Sequence, residues 1–135
     1  MIEVYTDAAC NGDPGMSAAG IIIKNNQQIE AHQFSLGIWT NHEAEFHAII
    51  RALDLCKDKY PGQIISVRSD SKIAVDTLDN QHTKNEKFLP LLQKVLELEK
   101  KFSYVFYKWI PEKQNKNADK LAKDCLQAAQ SPDQP

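Results

Sequence analysis

Cysteine is scarce and odd in number: Cys10, Cys56 and Cys125 are the three in 135 residues. Their wide spacing makes neither a disulfide framework nor a Cys-x-x-Cys metal or redox site, and fits reduced thiols in the cytoplasm. Excess positive charge is absent too. Sixteen Lys and Arg against 18 Asp and Glu leave a net charge of −2, which argues against holding a polyanion by bulk electrostatics. A polyanion would have to be bound locally, for instance by carboxylates whose bound cations reverse the sign of the field. No stretch approaches the roughly 18 apolar residues of a membrane span. The opening MIEVYTDAAC lacks a charged region followed by an apolar run, so neither membrane contact nor a secretory leader is expected. Aromatic and charged contents of 8% and 25% are ordinary for a globular chain and name no function.

What is present suffices for one core. With 42% hydrophobic residues the chain reads as a single domain over 1–130 and a disordered tail over 131–135. Ile2, Val4 and Thr6 alternate with Glu3 and Tyr5, a strand signature ending at Asp7. The turn formers of Asn11 to Gly15 lead into the apolar run AAGIII, and Asn25-Asn26 is a hairpin turn into a third strand near Gln28 to Leu36. Ala44, Ala48, Ile49, Ala52, Leu53 and Cys56 then recur at helical intervals. Thr40 and Glu43 form a capping box that starts this helix near Asn41, and Tyr60-Pro61-Gly62 ends it. A buried strand follows at Ile64 to Arg68, then a short helix over Ser71 to Leu78 and a polar connector. A further helix spans Phe88 to Lys100, with Pro90 in its first turn. Phe102 to Ile110 reads as a strand, and Asn115 to Ala129 as a helix with Ala118, Leu121, Ala122, Cys125 and Leu126 inward. The order β-β-β-α-β-α-α-β-α predicts an α/β domain with a mixed five-stranded sheet flanked by helices.

Four acids stand at element boundaries or near helix starts: Asp7, Glu45, Asp70 and Asp119. Ligand sites in such sheets lie beyond strand carboxyl ends, so Asp7 and Asp70 meet if their strands are neighbours. Carboxylate oxygens suit hard cations such as Mg²⁺. Two ions about 3.5 to 4 Å apart would activate water and stabilise a leaving oxygen. The strings around these acids, Tyr5-Thr6-Asp7, Thr40-Asn41-x-x-x-Glu45, Ser69-Asp70-Ser71 and Asn115-x-x-Ala118-Asp119-x-Leu121-Ala122, together resemble the type 1 ribonuclease H family from Tyr5 to about Ala122. The resemblance implies the ribonuclease H-like fold and a metal-binding catalytic quartet of Asp7, Glu45, Asp70 and Asp119. It also implies endonucleolytic cleavage of the RNA strand of RNA/DNA hybrids, with two Mg²⁺ or Mn²⁺ ions when substrate is bound. Hybrid-backbone contacts carry over to Cys10, the turn with Asp13 and Gly15, Thr40, Asn41, His42 and Ser71.

The sequence departs from the family in three places. The loop before the last acid, WIPEKQN, lacks a histidine that many members have, with Glu112 as a stand-in. The basic helix and loop of several bacterial relatives is reduced to DNQHTKN, leaving Lys72, Lys108 and Lys113 as local phosphate contacts. Asp13 replaces a frequent asparagine. The first two departures keep open the alternative of a catalytically weak or inactive ribonuclease H-like nucleic-acid-binding protein. A zinc-protease reading fails because His42 and His47 lie five apart and diverge by roughly 140° on a helix. A monomer with no obligate protein partner is expected.

Overall fold

The computed structural model describes residues 1–130; the tail expected to be disordered lies outside the described residues. Strands β1 (Ile2–Gly12), β2 (Gly15–Asn25) and β3 (Gln28–Trp39) precede helix α1 (Asn41–Lys59). Then come β4 (Ile64–Ser69), α2 (Lys72–Asn80), α3 (Leu89–Glu99), β5 (Tyr104–Trp109), a 3₁₀ turn over Glu112–Gln114, and α4 (Lys116–Gln130). One mixed sheet has the order β3-β2-β1-β4-β5, antiparallel across the first three strands and parallel from β1 through β5. Among the described residues no helix is long and apolar enough to cross a membrane.

Period-two alternation sends Ile2 and Val4 of β1, Ile21 and Ile23 of β2, and Ile65 and Val67 of β4 to one face, where α1 packs on the sheet and α3 packs on α1 to extend the same core. The α1 stripe read from the sequence is buried throughout, and Phe46 adds to it because α1 packs on α3 as well as on the sheet. Its start is fixed as expected: Thr40 Oγ1 accepts from the Glu43 N–H at 3.2 Å, and Glu43 Oε1 accepts from the Thr40 N–H at 3.2 Å. Pro90 sits in the first turn of α3, where it forfeits no helical hydrogen bond.

Three strands, β1, β3 and β5, differ most from the sequence reading. β1 does not stop at Asp7 but runs to Gly12, because Asp7 to Gly12 keep pairing with β2 after β4 has ended. Ala8, Ala9, Ala18 and Ala19 in this stretch are too small to show an apolar alternation. The first turn accordingly shrinks to Asp13-Pro14, with Gly12 at φ +115° entering it. β3 extends to Trp39, and β5 is shorter at both ends than Phe102 to Ile110.

The opposite face of β1, β2 and β3 is covered by α4, and a single glycine sets how close that helix comes. A Cβ on Gly20, the register partner of Asp7, would lie 2.0 Å from the Ala118 carbonyl oxygen and 2.7 Å from the Ala122 nitrogen. Both atoms are backbone, so only a shift of α4 could relieve the clash. Gly20→Ala should therefore lower stability by about 2 kcal/mol and carry Asp119 away from Asp7. Denaturant melts and activity measured together check this, and a fully active, equally stable variant would contradict it.

Candidate active site

β1 and β4 part after the register pair Thr6 and Ser69, so the next residues, Asp7 and Asp70, stand side by side where the parallel ladder opens. α1 brings Glu45 to the same place. One oxygen from each of Asp7, Glu45 and Asp70 lies within 4.8 Å of the others, with Asp7 buried and the other two half-buried. None of the three makes an ion pair among the described residues. Asp119 stands beside Asp7 and pairs through Oδ2 with Lys123 Nζ at 2.9 Å.

Each acid is held by its local sequence. The Ala8 N–H donates to Asp7 Oδ1 at 2.9 Å. Asp70 lies between two serines that fix its turn: Ser69 Oγ accepts from the Ser71 N–H at 3.0 Å, and Ser71 Oγ caps α2 by accepting from the Ala74 N–H at 3.2 Å. Trp109 Nε1 donates to the Asp70 carbonyl at 3.1 Å. Asn115, buried one helical turn before Asp119, donates Nδ2–H to the Thr6 carbonyl at 2.8 Å and pins the start of α4 to β1. The sequence strings contain Asn115 but give no sign of this anchoring role. The sequence reading gave Trp109 no part in the site, because nothing in the strand pattern separates a tryptophan over a site from one on an open face.

Gathering carboxylates away from water raises their proton affinity. Burial, reinforced by the charge of Asp70, pushes Asp7 up to about 8, and hydrogen bonding with Asp119 adds to the rise. Burial and then the charges of Asp7 and Asp70 hold Glu45 well above the ordinary range. Asp70 is raised chiefly by burial, with Glu112 and Asp119 adding to it and a hydrogen bond from Asp7 opposing it. The oxygen-only set of Asp7, Glu45 and Asp70, which repels itself and has no basic partner among the described residues, fits a hard divalent cation.

Asp7, Glu45, Asp70 and Asp119 share an open cavity of about 420 Å³ with Trp109 and Glu112. A neighbouring cavity of about 390 Å³ joins Glu45 and Asp70 to Cys10, Asn41, His42 and Ser71. The structure thus brings together four of the seven residues read as substrate contacts. The other three are engaged in shaping the fold nearby. Asp13 Oδ1 accepts from the Asn41 N–H at 2.8 Å, Thr40 caps α1, and Gly15 leaves no room for a side chain, a Cβ there lying 2.1 Å from the Asn11 carbonyl oxygen.

A family model described as "Reverse transcriptase-like" matches residues 5–125. The chain is 42% identical over 128 residues to "Putative hydrolase EbsB" of Enterococcus faecalis, covering 94% of this chain and 95% of that one. It is 28% identical over 147 aligned residues to "Ribonuclease H" of Novosphingobium aromaticivorans, covering 95% and 98%. It superposes on LC11-RNase H1, solved in complex with an RNA/DNA hybrid, with a TM-score of 0.88 at 27% identity, covering 97% of this chain and all of the other. Three mycobacterial relatives, 26% identical, are longer, and the chain spans 36% of each. The chain belongs to the Reverse transcriptase-like family. Its fold and relatives place it with the type 1 ribonucleases H.

The raised Asp7 value has a measurable consequence for stability. A carboxyl that binds its proton more tightly folded than unfolded stabilises the fold fully below its unfolded value of 3.8. It loses that contribution as pH climbs toward about 8. In chelator, wild-type Tm should fall across this window relative to Asp7→Asn, leaving the variant higher by roughly 5 °C at the alkaline end. Mg²⁺ should restore the wild type and not the variant. Thermal melts of both proteins as a function of pH and metal decide it, and parallel curves would contradict the assignment.

Proposed function

We propose that this chain cleaves the RNA strand of RNA/DNA hybrids endonucleolytically by a two-metal mechanism, Mg²⁺ or Mn²⁺ being held by Asp7, Glu45, Asp70 and Asp119. The observation that carries the proposal is the convergence of three carboxylates within 4.8 Å with no basic partner among the described residues. Divalent cations bound there supply charge neutralisation and an activated water. Asp7, Glu45 and Asp70 would hold one ion, and Asp7 with Asp119 the other. Glu112 faces the same cavity from the loop where many relatives have histidine, and its carboxylate can move a proton there.

Cys10, Asn41, His42 and Ser71 offer small polar groups to the hybrid backbone, where 2′-hydroxyls distinguish one strand from the other. Asp13, Gly15 and Thr40 serve the same surface indirectly by fixing the hairpin against the start of α1. The three cysteines are free, which suits a reducing cytoplasm, and the proposed function calls for no partner chain.

Purified protein should cut labelled hybrid in Mg²⁺ or Mn²⁺, not in chelator, and leave duplex DNA intact. Asp7→Asn should lower the rate roughly 10³-fold, about 4 kcal/mol of transition-state stabilisation, while the chain stays folded. Glu112→Gln should cost about tenfold in kcat and shift the pH profile. Binding of hybrid without cleavage in either metal would instead mark an inactive binding protein, the reading that the absent loop histidine favours.

A further inference from the structure

The half of the sheet that α4 leaves bare carries chemistry that hydrolysis does not use. α4 packs on β1, β2 and β3, so β4 and β5 present the face opposite α1 to solvent. Register arranges this face in rows. Tyr5, Arg68 and Lys108 stand side by side across β1, β4 and β5, Glu3, Ser66 and Phe106 form the next row, and Ile64 and Tyr104 the one beyond. Tyr104 and Phe106 are 57% and 49% exposed, with ring centroids 4.5 Å apart. Two large aromatic rings half in water on an edge strand contribute little to the core.

On the same face Lys108 follows Phe106 by two residues, and further lysines lie beyond the Arg68–Glu3 pair. Lys24, Lys108, Lys113 and Lys116 make no ion pair among the described residues. Three of them, Lys24, Lys113 and Lys116, line a cavity of about 190 Å³ with Tyr5, Asn115 and Asn117. Arg68 Nη1 is held by Glu3 at 2.7 Å and by the Tyr5 hydroxyl at 2.8 Å, while its buried Nε–H has no partner among the described residues. The face is also continuous with the catalytic carboxylates. Asp7 follows Tyr5 by two residues on the same side of β1, a step of about 7 Å.

We propose that this basic, aromatic face binds single-stranded nucleic acid running out of the hybrid beside the carboxylates. The bases stack on Tyr104 and Phe106, and the phosphates meet Lys108 and the lysines of the adjoining cavity. Exposed rings interleaved with unpaired cations match a polyanion with stacking faces, whereas a protein partner would leave the lysines unanswered. The inference rests on the proposed hybrid substrate only for where the strand comes from, and binding can be read without hydrolysis.

The test compares fluorescence anisotropy of a blunt hybrid, the same hybrid with a single-stranded extension of about eight nucleotides, and the single strand alone, all in chelator. The extension should tighten binding roughly tenfold. The double variant Tyr104→Ala/Phe106→Ala should abolish that gain while leaving blunt-hybrid affinity and cleavage rate unchanged, with Phe106→Tyr retaining it. Lys108→Gln, which leaves both rings in place, should lower the salt slope by about 1. It keeps the question open to measurement if the double variant does not fold. No gain from the extension, or a gain that survives loss of both rings, overturns the proposal. Self-association lost in the double variant, with no effect of the extension, overturns it in favour of a contact between proteins. Absent cleavage with the extension effect intact would instead refute the hydrolytic reading alone.

Discussion

Electrostatic repulsion among carboxylates that the fold forces together is the constraint on which the rest of the molecule turns. Asp7, Glu45 and Asp70 come from a strand interior, a helix and a strand end, and each is taken partly or wholly out of water. Left alone, such groups would splay apart or keep their protons. They stay because each backbone is secured by something else: the β1–β2 ladder for Asp7, the buried stripe of α1 for Glu45, and the two serine hydroxyls with Trp109 for Asp70. The core thus opposes the repulsion among these acids, and a divalent cation bound among them would relieve it.

The position of the last acid shows how little separates a working arrangement from a failed one. Asp119 reaches Asp7 because two devices act on the same helix end. Gly20 lets α4 lie against the sheet, and Asn115 ties it to the Thr6 carbonyl, one residue before Asp7. The strand that carries one acid therefore also sets the height of the helix that carries another.

Much of this was legible beforehand where a residue's role is local. The capping box at Thr40 and Glu43, the stripe of α1, Pro90 in a first turn and the β-β-β-α-β-α-α-β-α order each depend on neighbours in the chain, and all are found. The four acids were legible because their strings are short and occur in order. The continuation of β1 past Asp7 was not, since alanines and glycines carry no alternation and the pairing that sustains the strand comes from β2. The roles of Trp109 and Asn115 were missed for the same reason: their partners, the Asp70 and Thr6 carbonyls, are distant in sequence and leave no trace in spacing. The division of the substrate-contact residues into those lining the cavity and those spent on the fold likewise needed three-dimensional neighbours to see.

Trp109 has a practical corollary. Of the two tryptophans in the chain it is the one that lines the acidic cavity, with its indole nitrogen bonded to the Asp70 carbonyl, while Trp39 lies over the His47 ring at 4.0 Å. An indole so placed is an intrinsic optical reporter, whose emission senses the arrival of positive charge among the carboxylates without any label. Replacing Trp39 with phenylalanine would leave that reporter as the sole indole emitter, and ion occupancy could then be followed by its fluorescence alone.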